Sequence, residues 1–287
     1  MKVWSAGTRI IIGTRRRSAT STSPETAIGA WLVHAEFPQP AYDTMGRGYQ
    51  PVRRPDPRLA SKITAALGDS RTVINVGAGT GSYEPVDRWV LAVEPSSVMI
   101  GQRPPEAAPV LQTSVEDMAL AGDTVDAAMA ILTVHHWRDV EAGLRQLVRV
   151  ARKRVVIATM DVPTLARLWI VADYLPEFVG EHTARFPPIS RLCELLPNST
   201  SEVLAVPHDC TDRFLAALWA RPHALLDPAT RAATSPWYDL PAATVDKALA
   251  RLRNDLHDGT WHERYGHLLK HAELDVGLRL ITSTLAV

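Results

Sequence analysis

Thr72-Val73-Ile74-Asn75-Val76-Gly77-Ala78-Gly79-Thr80-Gly81 is followed by Glu94, seventeen residues beyond Gly77. Val73, Ile74 and Val76 form a short apolar run of β-branched residues, the composition of a strand covered on both faces. The glycines then recur at alternate positions. Glycine opens backbone angles closed to other residues, and its missing side chain lets a ligand touch the main chain. A second apolar run, Arg88-Trp89-Val90-Leu91-Ala92-Val93, ends at Glu94. A carboxylate at that point can accept hydrogen bonds from both hydroxyls of a ribose. The combination predicts a parallel sheet that holds an adenosine-containing cofactor at its strand ends.

The glycine spacing separates two cofactor classes. The dinucleotide fingerprint is Gly-x-Gly-x-x-Gly. Counted from Gly77, its last position is Ser82, and the third glycine stands instead at Gly81. With a strand before it and Glu94 on the next, this Gly-x-Gly-x-Gly pattern resembles the class I methyltransferases that use S-adenosyl-L-methionine. The resemblance implies a doubly wound, Rossmann-like α/β sheet of about seven strands, the last one antiparallel, with helical cap insertions. It also implies a cofactor site of Gly77, Ala78, Gly79, Gly81, Glu94 and Pro95. An NAD(P)-dependent oxidoreductase and a non-catalytic interaction module of the same fold are the alternatives.

Composition narrows the partners. Thirty-one basic and thirty-one acidic residues cancel, which argues against a general nucleic-acid binder. No apolar run is long enough to span a bilayer. Cys193 and Cys210 are the only cysteines; they make neither a disulfide framework nor a zinc spacing, so no metal is expected. The simplest expectation is a reducing, cytoplasmic location. At the start, Ile10-Ile11-Ile12 precedes Arg15-Arg16-Arg17 and a Ser/Thr-rich run. This order does not fit a secretory signal; the Arg-rich, Ser-rich and acid-poor composition also fits an organelle transit peptide, and the favoured reading is a flexible tail over residues 1–35 or an upstream start codon chosen in error.

Residues 36–70 read as an N-terminal lid and helix, 71–160 as the cofactor-binding core, and 161–287 as cap insertions with strands six and seven. Leu59, Ile63 and Leu67 recur at spacing four, predicting a helix over Arg58 to Leu67 with Gly68 as its C-cap. The crossover Ala78 to Arg88 is short and contains Pro85, so it has room for about one helical turn. Further strands are expected at Pro109 to Thr113, Asp126 to Leu132 and Arg154 to Thr159, with a helix over Val140 to Val150. Beyond these, helices are expected over Pro163 to Val179, Ile189 to Leu196, Asp212 to Leu226 and Ala243 to Leu256. Strands over Glu202 to Val206 and Leu274 to Leu285 complete the pattern and match the family's antiparallel sixth and seventh strands.

Four further clusters carry chemical content. Thr113-Ser114-Val115-Glu116-Asp117-Met118 follows strand three. Related methyltransferases place an acid facing adenine where this chain has Ser114, which leaves Glu116 or the Val115 backbone for that contact. Strand four ends in Ile131-Leu132-Thr133-Val134-His135-His136-Trp137. Leu132 borders the cofactor there, and His135 is the candidate base, since imidazole can remove a proton from a hydroxyl or amine. Alternatively, one histidine bonds backbone and the other packs under Trp137. In the N-terminal segment, Tyr42 and Tyr49 could face a sulfonium and Arg54 could pair with a carboxylate. Lastly, His208-Asp209-Cys210-Thr211-Asp212 offers a nucleophile without an identified base, and Asp209 or Thr211 is better read as a cap of the next helix. Trp219, Trp237, Tyr238 and Trp261 read as core of the cap. The expected acceptor is a small organic molecule, with no nucleic acid or membrane partner, on a monomer or homodimer.

Overall fold

A computed structural model describes Asp43 and residues 53–180, 183–234, 237 and 240–286; all belong to one compact unit, Gln39–Val287. The first helix, α1 (Pro57–Ala66), begins where Asp56 accepts from the Arg58 amide and Pro57 supplies a preset φ. It buries Leu59 and Ile63 and ends at Gly68, whose φ of +59° gives the left-handed turn anticipated there.

Strands β1 (Thr72–Val76) and β2 (Trp89–Val93) are parallel, with Val76 opposite Val93. Between them lie turns and no helix. Pro85 lacks an amide hydrogen and Tyr83 adopts a φ of +64°, and either interrupts a helical ladder. The chain continues through α2 (Ser97–Ile100), the two-residue β3 (Val110–Leu111), β4 (Val125–Ile131), α3 (Val140–Val150) and β5 (Ala151–Met160). α3 starts on an Asp139 cap and passes into β5 without a loop.

The cap departs from the expected long helices. Over Pro163 to Val179 the chain forms α4 (Val162–Leu165), a π-type turn at Ile170–Tyr174 and a 3-10 turn at Pro176–Phe178. Asp212 to Leu226 divides into 3-10 turns at Leu215–Leu218 and Pro222–Leu226. Pro176 and Pro222 cannot donate to a continuous ladder. Regular helices reappear at α5 (Ile189–Leu195), α6 (Pro228–Ala232), α7 (Ala242–His257) and α8 (Thr260–Tyr265).

β6 (Ser199–Val203), a small ladder of β7 (Val206–Pro207) with β8 (Glu273–Leu274), and β9 (Leu278–Thr284) complete the strands. The main sheet runs β3-β2-β1-β4-β5-β9-β6. β9 is antiparallel to both β5 and β6, the antiparallel pair expected at the end of the chain; β9 alone opposes the parallel set, and β6 shares that set's direction. Alternate strand residues feed two cores. Val73, Met129 and Val156 pack toward α1 and the cap, while Ile74, Ala128 and Val155 pack toward α3 and α5.

Candidate active site at the strand tips

The order β3-β2-β1-β4 brings four carboxyl-terminal tips side by side, the place where open α/β sheets bind ligands. At the β1 tip, Gly77 has a φ of +68°, and a Cβ there would lie 1.9 Å from Thr133 Oγ1. The first glycine is therefore required by the end of β4, which comes fifty-six residues later. At Gly81, with φ +95°, a Cβ would come within 3.2 Å of Glu84 Oε2 and 3.4 Å of Arg103 Nη1. The third glycine leaves room for an ion pair that pattern matching did not reveal.

Glu94 closes the β2 tip and is buried. Its Oε2 accepts from the Gly79 amide at 2.7 Å and its Oε1 from the Ser96 amide at 2.9 Å. The carboxylate thus faces the glycine turn, as the spacing predicted. Each oxygen has a second lone pair for a ligand hydroxyl. Burial raises its pKa, opposed by the two backbone hydrogen bonds and the charge of Arg103. Beside it, Ser96 Oγ donates to Asp43 at 2.6 Å, so one residue of the N-terminal segment reaches this tip. Pro95 follows directly, and its carbonyl accepts from Gln112 Nε2 across β3 at 3.4 Å.

After β3, Val115 is buried. Ser114 Oγ donates to Asp117 at 2.8 Å, while Glu116 Oε1 accepts from the Arg138 and Asp139 amides at 2.8 and 3.2 Å. Glu116 therefore fastens the approach to α3, a tertiary use invisible in the local motif.

The β4 tip holds Leu132 in a left-handed conformation, φ +53°, with its amide donating to Ala158 at 2.7 Å. A non-glycine residue in that region is uncommon and marks a tightly determined loop. Val134–His136 forms a 3-10 turn. The His135 ring is buried and stacks on Phe186, centroids 4.1 Å apart and planes 12° apart. Its Nδ1 is buried without a hydrogen-bond partner. Burial lowers the His135 pKa well below its ordinary value, helped by His136 and Arg185, and lowers His136 to about 3. Both rings are neutral at physiological pH. Phe186, and not Trp137, is the ring stacked on His135; a Cβ on Gly143 of α3 would lie 2.4 Å from Trp137 Cε3, which shows where that indole packs.

The N-terminal candidates separate. Tyr42 and Tyr49 lie outside the described residues. Arg54 is exposed, while its neighbour Arg53 turns inward to pair with Asp212 of the cap. Tyr83 donates to the same carboxylate at 3.0 Å. This tyrosine, two residues past the last glycine, was missed because nothing local marks it as inward-facing. The His208 to Asp212 cluster joins the same junction: Asp209 pairs with Arg58 at 2.7 Å, and the Thr211 amide donates to Asp56 at 3.0 Å. Neither caps a following helix, since the 3-10 turn at Leu215–Leu218 has no side-chain cap. Burial pushes the Cys210 thiol up to about 12, so it is not a thiolate nucleophile. Trp219 and Trp261 are buried, and Trp237 packs against the cap core; Tyr238 lies outside the described residues. No helix among the described residues is long and apolar enough to cross a membrane.

Known proteins share this architecture. Residues 74–159 match the family described as a methyltransferase domain. A solved structure from Anabaena variabilis ATCC 29413, bearing the name of a methyltransferase from an antibiotic biosynthesis pathway, is 32% identical. The match covers 82% of this chain and 99% of that one, with a TM-score of 0.76. A SAM-dependent methyltransferase from Thermotoga maritima shares the fold at 14% identity and TM-score 0.50, over 85% and 97% of the two chains. So does the plantazolicin methyltransferase, solved with SAH, at 9% identity and TM-score 0.50, over 86% and 92%. No sequence among the curated proteins matches the chain. A Rossmann-like sheet, bare main chain at the β1 tip and a buried acid facing it define a class I S-adenosylmethionine-dependent methyltransferase. The chain belongs to that family, and S-adenosyl-L-methionine is its cofactor.

Proposed function

We propose that this methyltransferase acts on a small organic acceptor enclosed between the β4 tip and the cap. The observation that carries this reading is the stack of His135 on Phe186: a cap residue covers the strand tip beside which the methyl group would be presented. A macromolecule would have to displace that cover, whereas a small molecule would need only a local opening beside it. S-adenosyl-L-methionine supplies an electrophilic sulfonium methyl, and the protein's task is to hold donor and acceptor in line and exclude water.

In this reading the main chain at Gly77, Ala78, Gly79 and Gly81 cups the donor, and Glu94 accepts from its ribose hydroxyls. Pro95, the Val115 backbone and Leu132 border the adenine. Ser114 and Glu116 shape that wall through their contacts with Asp117 and Arg138. The neutral His135 ring accepts a hydrogen bond from the acceptor's O–H or N–H. Its lowered basicity suffices, because a hydroxyl or amine becomes strongly acidic as its heteroatom gains the methyl group.

The test combines calorimetry with labelled-methyl transfer. The protein binds adenosylhomocysteine and not NAD, and label from the donor passes to members of a panel of phenols, carboxylic acids and amines. His135→Asn lowers turnover while leaving adenosylhomocysteine affinity within about twofold, a difference well under 1 kcal/mol. Transfer to peptide or nucleic acid alone would reject the small-acceptor reading.

A further inference from the structure

We infer that Arg103 and Glu84 are positioning residues for the methyl donor, their buried ion pair setting the glycine turn in place of a helix. The inference rests on the reading of that turn and Glu94 as the donor site. A glycine turn between parallel strands ordinarily opens a helix, whose first amides and backbone ladder hold the turn in place. Here the connection from Gly77 to β2 contains no helix, and side chains hold it instead. Arg103 Nη2 meets both oxygens of Glu84, at 2.8 and 2.9 Å. Both side chains are nearly inaccessible, 5% and 10% exposed.

The pair is tied to the sheet on one side and to the turn on the other. Asn75 Nδ2, on β1, donates to Glu84 Oε1 at 3.3 Å, and the Ala108 amide donates to Oε2 at 3.4 Å. Arg103 also donates to the Ala108 carbonyl at 3.0 Å and, through Nη1, to the Gly79 carbonyl at 3.2 Å. Gly79 is therefore gripped from two directions, its amide by Glu94 and its carbonyl by Arg103. The absence of a side chain at Gly81 lets the pair lie this close. Planar guanidinium geometry reaches two carbonyls and both oxygens of a carboxylate together, four acceptors against the three donors of an ammonium. The charge of Arg103 also favours ionised Glu94.

The test measures adenosylhomocysteine binding by calorimetry and ligand-free melting for wild type, R103M, R103K, E84Q and E94A. Leu147→Ala, in α3, serves as a core-destabilised control. Expected are a loss of about tenfold or more in R103M and a smaller loss, about threefold, in R103K and E84Q. Leu147→Ala melts lower yet keeps the wild-type Kd. A purely structural brace would lower melting in R103M and leave the Kd of the folded protein unchanged. That result, with binding lost in E94A, overturns this inference alone. Wild type that fails to bind, or E94A that binds as wild type does, overturns the donor-site reading and this inference with it. Should R103M fail to fold, R103K and E84Q decide: a Kd within about twofold of wild type in both overturns the proposal.

Discussion

The strand tips from β1 to β4 and the cap from α4 to α8 are held by different means. At the tips, backbone atoms and polar side chains meet at close range: Gly77 against Thr133, Gly79 against Glu94 and Arg103. In the cap, large side chains interlock. Trp169 Nε1 donates to the Trp219 carbonyl at 2.8 Å and Trp219 Nε1 to the Val206 carbonyl at 3.0 Å, while Trp169 and Trp261 meet edge to face at 5.3 Å. The first region is built for a fixed, bare main chain. The second is a packed layer whose backbone follows its side chains, with π and 3-10 turns where bulky residues and prolines defeat regular helix.

Four measurements sharpen or break the comparison. The largest effect is expected at Gly77→Ala, where both the left-handed φ and the overlap with Thr133 oppose any side chain. Adenosylhomocysteine binding should fall by about 100-fold or more, or folding should fail, by analogy with severe steric substitutions. T133G in the same chain should recover part of the loss; no recovery would mean that the clash is not the cause.

Glu94→Gln should weaken adenosylhomocysteine binding by about 10- to 100-fold, the scale of a charge-assisted hydrogen bond. Acidity separates its two roles. Burial raises the Glu94 pKa above the ordinary 4.5. Its contribution to ligand-free stability is therefore greatest below that ordinary value and is lost as pH rises through the raised one. Product binding needs the ionised acceptor and so weakens as pH falls through the same interval. Calorimetry across this range should show the trend in wild type and its absence in E94Q.

Trp219→Phe tests the cap. It leaves the Val206 carbonyl without its indole donor and should cost about 1–3 kcal/mol, lowering melting by several degrees. Adenosylhomocysteine affinity should hold; a parallel fall in affinity would show that cap and tips are one cooperative element. The smallest effect concerns the thiols. At pH 8 a thiol reagent should label native protein at no more than one site, Cys193, since Cys210 is buried and held protonated to about 12. Both should react after denaturation, and rapid native labelling of Cys210 would show that the cap opens freely.

Much of the tip region was legible because its signals are local. Val73 to Val76 followed by alternate glycines marks a buried strand and turn, and Glu94 terminates the next apolar run; both lie as their periodicity indicates. The helix over Leu59, Ile63 and Leu67 was legible for the same reason. The cap was not. Pro163 to Val179 is rich in apolar residues all round, and such a segment has no single face to set a helical period. The roles of Glu116, Arg103, Tyr83 and Phe186 were hidden because each contact joins positions far apart in the chain.

The sequence by itself determined the parallel sheet, the bare main chain at the β1 tip, the acid that faces it and hence the class of cofactor, because strand periodicity and glycine spacing act over a few neighbouring residues. Only the tertiary structure decided why Gly77 and Gly81 must be glycine, which arginine of the Arg53-Arg54 pair turns inward, and that Phe186 rather than Trp137 covers His135. Those outcomes depend on which distant side chains compete for one small volume, a contest that close packing settles in three dimensions.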